Sequence, residues 1–156
     1  MRGRPLRGKH FQAGVLGGHL IARPGDGVPC RACPARGCYE AESASQSLPA
    51  EFADFGTLFA RAAAGDAAAI AVRDRCVRYW QALFVSVVHA YDPVRIVLGG
   101  GVSENPAVRA LLPAWEADLN RQAWVVEPVR LRVAALGNHA ALIGIASLFT
   151  HPPPWL

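Results

Sequence analysis

Between positions 70 and 88 apolar residues recur mostly at three- and four-residue spacings: Ile70, Val72, Cys76, Val77, Trp80, Leu83, Phe84, Val87 and Val88. Such a stripe follows one face of a helix with 3.6 residues per turn, so the segment predicts a long amphipathic core helix. Asp66 stands where its carboxylate can cap the first turn, and Asp92-Pro93 closes the helix. Upstream, Phe55 to Ala64 predicts a shorter helix stopped by Gly65, and Tyr39 towards Ser47 another.

Beyond Pro93 the period changes. Arg95-Ile-Val-Leu98 is a short β-rich run that feeds into Gly99-Gly100-Gly101, which predicts a buried strand ending in a glycine turn. Ser103-Glu-Asn-Pro106 opens a helix through about Asn120, Val129 to Ala134 reads as a second strand, and Asn138 to Phe149 as a final helix. Strands alternating with helices predict an α/β sheet. Arg4 to Arg23 is a Gly-rich loop, continued by an irregular Pro- and Cys-containing segment to Cys38. The ending His151-Pro-Pro-Pro-Trp155-Leu156 cannot continue a helix and predicts an extended tail.

The 156 residues are 52% hydrophobic and 18% charged, a balance that excludes disorder and predicts one packed domain. A net charge of +4 and a pI near 9.2 change little, because the fifteen arginines are scattered and Lys9 is the single lysine. Only Arg2, Arg4, Arg7 and Lys9 make a locally basic stretch, interleaved with Gly and Pro as in a solvated loop, and DNA binding is not inferred from it. The best apolar run, Ala82 to Val88, falls short of the roughly eighteen residues a membrane helix needs. A soluble, cytoplasmic protein with no membrane partner is expected.

The chemistry concentrates near the start. Gly18-His19 is followed by Cys30-Arg-Ala-Cys33-Pro-Ala-Arg-Gly37-Cys38-Tyr39-Glu40. Cys30 and Cys33 have the spacing that lets one turn present two thiolates to one ion, and His19 and Cys38 complete a closed Cys3His shell for a structural zinc. Such a shell leaves no position for an activated water and leaves Glu40 free for other work. Two disulfides with Cys76 as fourth partner, or buried free thiols, are the alternatives; an oxidising compartment is not expected without a signal peptide. The three glycines at Gly99 to Gly101 strip side chains from a strand-to-helix junction, where open α/β sheets bind nucleotides, or serve a tight turn needing positive φ. They form neither a P-loop nor a dinucleotide fingerprint.

Taken in order, Gly18-His19, Gly37-Cys38-Tyr39-Glu40, Ala62-Ala-Ala-Gly-Asp66, Asp92-Pro93-x-x-Ile96-Val-Leu-Gly-Gly-Gly-Val102 and Leu136-Gly-Asn-His-Ala-Ala-Leu-Ile-Gly-Ile-Ala146 resemble the ROK family. That family contains bacterial sugar kinases and sugar-responsive repressors, and the resemblance spans nearly the whole chain. It implies an actin-like, ribonuclease-H-like ATPase lobe over residues 1–150, with a zinc loop at 19–40 and a tail at 151–156. His19, Cys30, Cys33 and Cys38 fall in the zinc-ligand places, His19 and Glu40 in sugar-contact places, and Gly99, Gly100 and Gly101 in the adenosine-side glycine motif.

Two departures accompany the resemblance. Leu16 stands where the family has a sugar-binding glutamate and cannot accept a hydroxyl, and Cys30-Arg-Ala-Cys33-Pro replaces the common Cys-x-Cys-Gly. The family's N-terminal lobe, both phosphate loops and the catalytic Asn-Asp pair would precede residue 1. The expectation is therefore the C-terminal lobe of an ATP-dependent glucose or N-acetylhexosamine kinase, truncated on its N-terminal side and inactive alone. ATP and magnesium enter only with the missing lobe. The alternatives are the sugar-sensing lobe of a repressor, with DNA as a partner only if a helix-turn-helix lies upstream, or a non-catalytic zinc-stabilised remnant. An open sheet edge beside the two strands predicts a homodimer or a partner chain.

Overall fold

Asp66 starts the longest element because its carboxylate accepts the amide hydrogens of Ala68 at 3.0 Å and Ala69 at 3.1 Å, donors that a helix start leaves open. The computed structural model describes residues 5–14 and 16–153, so Arg2 and Arg4 of the basic start and Trp155 and Leu156 of the tail lie outside the described residues. From this cap α4 spans Ala67–Tyr91 and ends at a left-handed Asp92. Its stripe buries Cys76, Phe84 and Val88, with Ile70, Val77 and Trp80 half-buried against the same core. Helix α3, Phe55–Ala63, is capped by Asp54, which accepts the Thr57 amide hydrogen at 2.7 Å, and lays Leu58, Phe59 and Ala62 into that core.

The early part is more structured than a glycine-rich loop. A single turn, α1, covers Leu16–His19. The helix expected from Tyr39 towards Ser47 breaks: α2 covers Tyr39–Ser43, Ala44 is extended, and Ser45–Ser47 form a 3-10 turn. Serine chemistry explains the break, since the Ser43 hydroxyl donates to the Tyr39 carbonyl at 2.9 Å and the Ser47 hydroxyl to the Ala44 carbonyl at 2.7 Å. Such side-chain bonds compete with a continuous helical ladder.

Strand β1, Arg95–Leu98, pairs in parallel with β2, Arg130–Val133, placing Arg95 opposite Arg130 and Leu98 opposite Val133. Among the described residues these strands make a two-stranded sheet. β1 is not the buried strand that its apolar run predicts: Val97 is 55% exposed, while Ile96 and Leu98 pack on the core. Only one face of the pair meets helices, so alternate residues are left outside. Between the strands lie α5, Gly101–Glu104, and α6, Pro106–Gln122, which Asn105 caps by accepting the Ala107 amide hydrogen at 2.9 Å.

Aromatic rings join α3, α4 and α6. Phe55 lies 5.2 Å from Trp80, Trp80 lies 5.8 Å edge-on from Trp115, and Phe84 lies 6.0 Å from Trp115, centroid to centroid. Glu116 of α6 accepts Arg130 on one carboxylate oxygen and the Leu131 amide and Arg132 on the other, clamping α6 to β2. After a 3-10 turn at Gly137–His139, α7 spans Ala140–Thr150 without a buried residue. Among the described residues no helix is long and apolar enough to cross a membrane.

Candidate metal centre and ligand trough

The segment from Ile21 to Cys38 folds back on itself through two isolated antiparallel bridges, Ile21 with Cys38 and Pro29 with Arg36. At the crossing, Ala22 and Arg23 donate their amide hydrogens to the Gly37 carbonyl at 2.7 and 2.8 Å. Glycine is required there, because a Cβ on Gly27 would lie 2.2 Å from the Gly37 Cα. The hairpin beyond the crossing carries Cys30 and Cys33, while the bridge to Ile21 carries Cys38 straight into α2.

This path gathers four residues from three places. One donor atom each from His19, Cys30, Cys33 and Cys38 lies within 4.8 Å of the others, with Cys38 buried and the rest partly so. His19 Nδ1 is buried without a hydrogen-bond partner. Three sulfurs and an imidazole are the donor types of tetrahedral zinc sites, and a buried ring nitrogen without a partner on the histidine of that set fits a ligand position, so the residues present suit the metal. The Ala32 amide hydrogen, 3.3 Å from Cys30 Sγ, pulls that thiol below its ordinary value, whereas burial pushes Cys38 up. No cysteine is bridged, and Cys76 is buried within α4, so the disulfide alternative is not realised. Leu16 opens α1, and its side chain lies outside the described residues.

Helix α2 is fastened to α4. Trp80 Nε1 donates to the Ser43 carbonyl at 3.1 Å, Arg75 donates to the Ser47 carbonyl at 3.1 Å, and the Tyr39 and Tyr79 rings meet edge-on at 6.3 Å. That fixes Glu40, whose Oε1 also accepts Gln46 Nε2 at 2.9 Å. Glu40 lines a cavity of about 250 Å³ with Tyr39, Ser43, Phe55 and Trp80. A second cavity of about 520 Å³ is lined by Asp54, Gly56, Gly101 and Asn105, and the two share Ser45, Phe55 and Val102. The carboxylate and the glycine turn thus open onto one trough. His19 sits with the thiols rather than on the lining beside Glu40.

At the far end Gly100 adopts φ +92°, which a side chain would strain, and its carbonyl accepts both the amide and the hydroxyl hydrogen of Ser103. A Cβ on Gly101 would meet no atom within 4 Å, so the turn presents bare backbone to open space. Gly99 instead borders a third cavity, about 260 Å³, walled by Trp80, Phe84 and Trp115. Glu104 accepts the amide hydrogen and side-chain amide of Asn138, tying this turn to the approach to α7. Asp54 and Asn105, absent from the sequence-based site, carry recognisable cap patterns ahead of Thr57 and Pro106. Gln46 carries no such signal.

Comparison with known proteins adds the following. The model of the ROK family matches residues 1–151. A glucokinase of Halalkalibacterium halodurans is 30% identical over 91% of this chain and 49% of its own length. A ROK hexokinase of Thermus thermophilus superposes with a TM-score of 0.75 at 36% identity, over 92% of this chain and 49% of that one. A ROK glucokinase of Streptomyces griseus, solved with glucose and AMPPNP, superposes with a TM-score of 0.73 at 22% identity, which speaks to fold alone. The chain spans about half the length of these relatives.

Proposed function

The chain belongs to the ROK family, and from that membership we propose that it forms the zinc- and sugar-binding lobe of an ATP-dependent kinase for glucose or an N-acetylhexosamine. One observation carries the reading: Glu40, two residues after Cys38 of the cysteine and histidine cluster, lines a trough that reaches Gly101. Residues 1–150 act as one lobe, and 151–156 as a tail.

In this reading Glu40 accepts two sugar hydroxyls, and Gln46 holds one of its oxygens so that the carboxylate is set before the sugar arrives. Zinc held by His19, Cys30, Cys33 and Cys38 supplies a closed, purely structural crosslink. His19 reaches the sugar only through its ring edge, having committed one nitrogen to the metal. Gly99, Gly100 and Gly101 take the adenosine side of the nucleotide. Phosphoryl transfer also needs a base for the sugar hydroxyl and groups to hold the γ-phosphate with magnesium, which this reading assigns to the remainder of a longer polypeptide.

Isothermal titration of the zinc-loaded chain with glucose and with N-acetylglucosamine tests the sugar half. Binding of one of them, weakened about tenfold or more in Glu40→Gln as a charged hydrogen bond is lost, is the expected result. No heat with either sugar, or equal affinity in Glu40→Gln, sinks the assignment. Sugar binding without any response to an ATP analogue would favour the sensing lobe of a regulator.

A further inference from the structure

Glu42 is 2% exposed, a charged side chain almost wholly removed from water two residues along α2 from Glu40. A buried carboxylate is costly unless it makes bonds that repay its dehydration. Its Oε1 accepts the amide hydrogen of Val28 at 2.8 Å, across fourteen residues of sequence.

Val28 is the base of the cysteine hairpin. Its carbonyl accepts the Gly37 amide hydrogen at 2.8 Å, the next residue pairs with Arg36, and Cys30 donates to the Ala35 carbonyl at 3.0 Å. Both polar groups of Val28 are thus committed, one to closing the hairpin and one to Glu42. His19 and Cys38 lie outside this hairpin, on α1 and at the start of α2, whereas Cys30 and Cys33 ride within it. Through Glu42 the hairpin half of the donor set is tied to the helix that starts at Cys38. Tyr79, facing Glu42 from α4, has its phenol pushed up by burial and then by this carboxylate, which places the contact against the core helix as well.

We propose that Glu42 is a positioning residue that holds the Cys30–Cys33 hairpin against α2 before any metal arrives, so that the four donors are pre-arranged. The metal half of this statement rests on the zinc reading above; the anchoring half does not. Without the anchor the hairpin must be ordered by the ion itself, and that ordering is taken out of the binding free energy.

The test uses Glu42→Met, which keeps the volume and the burial but removes the acceptor, and Glu42→Gln, which keeps an acceptor for Val28. Hydrogen exchange of the metal-free proteins reads the anchor directly. Residues 28–37 are expected to exchange faster in the Met variant than in the wild type, with α4 unchanged, and to return towards wild type in the Gln variant. Competition with a chromophoric chelator then reads zinc affinity, expected to fall about tenfold or more in the Met variant, as for supports of a metal shell, and to recover in the Gln variant. Unchanged exchange in the Met variant overturns the anchor, and unchanged zinc affinity overturns its consequence for the metal. Failure of the wild type itself to take up zinc defeats the zinc reading, while exchange still decides the role of Glu42.

Discussion

Trp115 meets both Trp80 and Phe84 and is 3% exposed, so the ring stack between α4 and α6 depends on it. Trp115→Ala is expected to cost about 3–5 kcal/mol, through lost apolar burial and the cavity left behind, read as a lower urea midpoint at unchanged slope. An effect below about 1 kcal/mol would mean that the stack is not the centre of the core. At this scale the sequence was uneven. The His19, Cys30, Cys33 and Cys38 cluster was legible because it draws on short segments with recognisable spacing. Glu42 and Gln46 were not, because their partners, Val28 and Glu40, meet them only after the loop has folded. Cys76 keeps the apolar period of the helix, and its complete burial in α4 agrees.

Among the elements, α3 and α4 could be read from the chain because caps and stripe agree: Asp54 and Asp66 stand one residue before each helix, and apolar residues keep the helical period. The break in α2 and the exposure of β1 could not, since one depends on serine bonding and the other on which surfaces cover the sheet. The caps also set how these elements respond to acid. The backbone amide and then the side chain of Thr57 hold Asp54, and the Ala69 amide with Arg61 holds Asp66, below the usual carboxylate range. Burial pushes Glu116 up, but the Leu131 amide and two arginines outweigh it and leave its carboxyl low as well. Because the folded values lie below the unfolded ones, near 4, the stabilisation is complete above that pH and disappears as pH falls through the folded values. The melting temperature is therefore expected to drop steeply below about pH 4. In Asp66→Asn, which keeps a cap but loses the charge, the drop should be shallower. Identical acid profiles for the two proteins would show that Asp66 is not one of the groups responsible.

For the whole molecule, the order of motifs was enough to point to the family and to its fold, and the family match and the superpositions agree. What the order could not convey is how much apolar surface the described residues leave uncovered. α7 is apolar on every side, yet Leu142 is 68% and Phe149 84% exposed, and Ile143 and Ile145 stand out beside them. A helix that is hydrophobic all round belongs in an interior, and an exposed patch of this kind marks an association surface. Among the described residues β1 also leaves Val97 exposed, and the two-stranded sheet keeps an edge open to pairing. As a 156-residue polypeptide the chain is expected to cover α7 with a second copy, sedimenting near twice 16.6 kDa. Introducing charge by Leu142→Glu with Phe149→Glu should return it to a single copy that still unfolds cooperatively, because neither side chain contributes to the core around Trp115. A wild type that sediments as one copy at every concentration would remove the dimer. Loss of folding in the charged variant would instead place α7 inside the lobe's own core, against the exposure of its side chains.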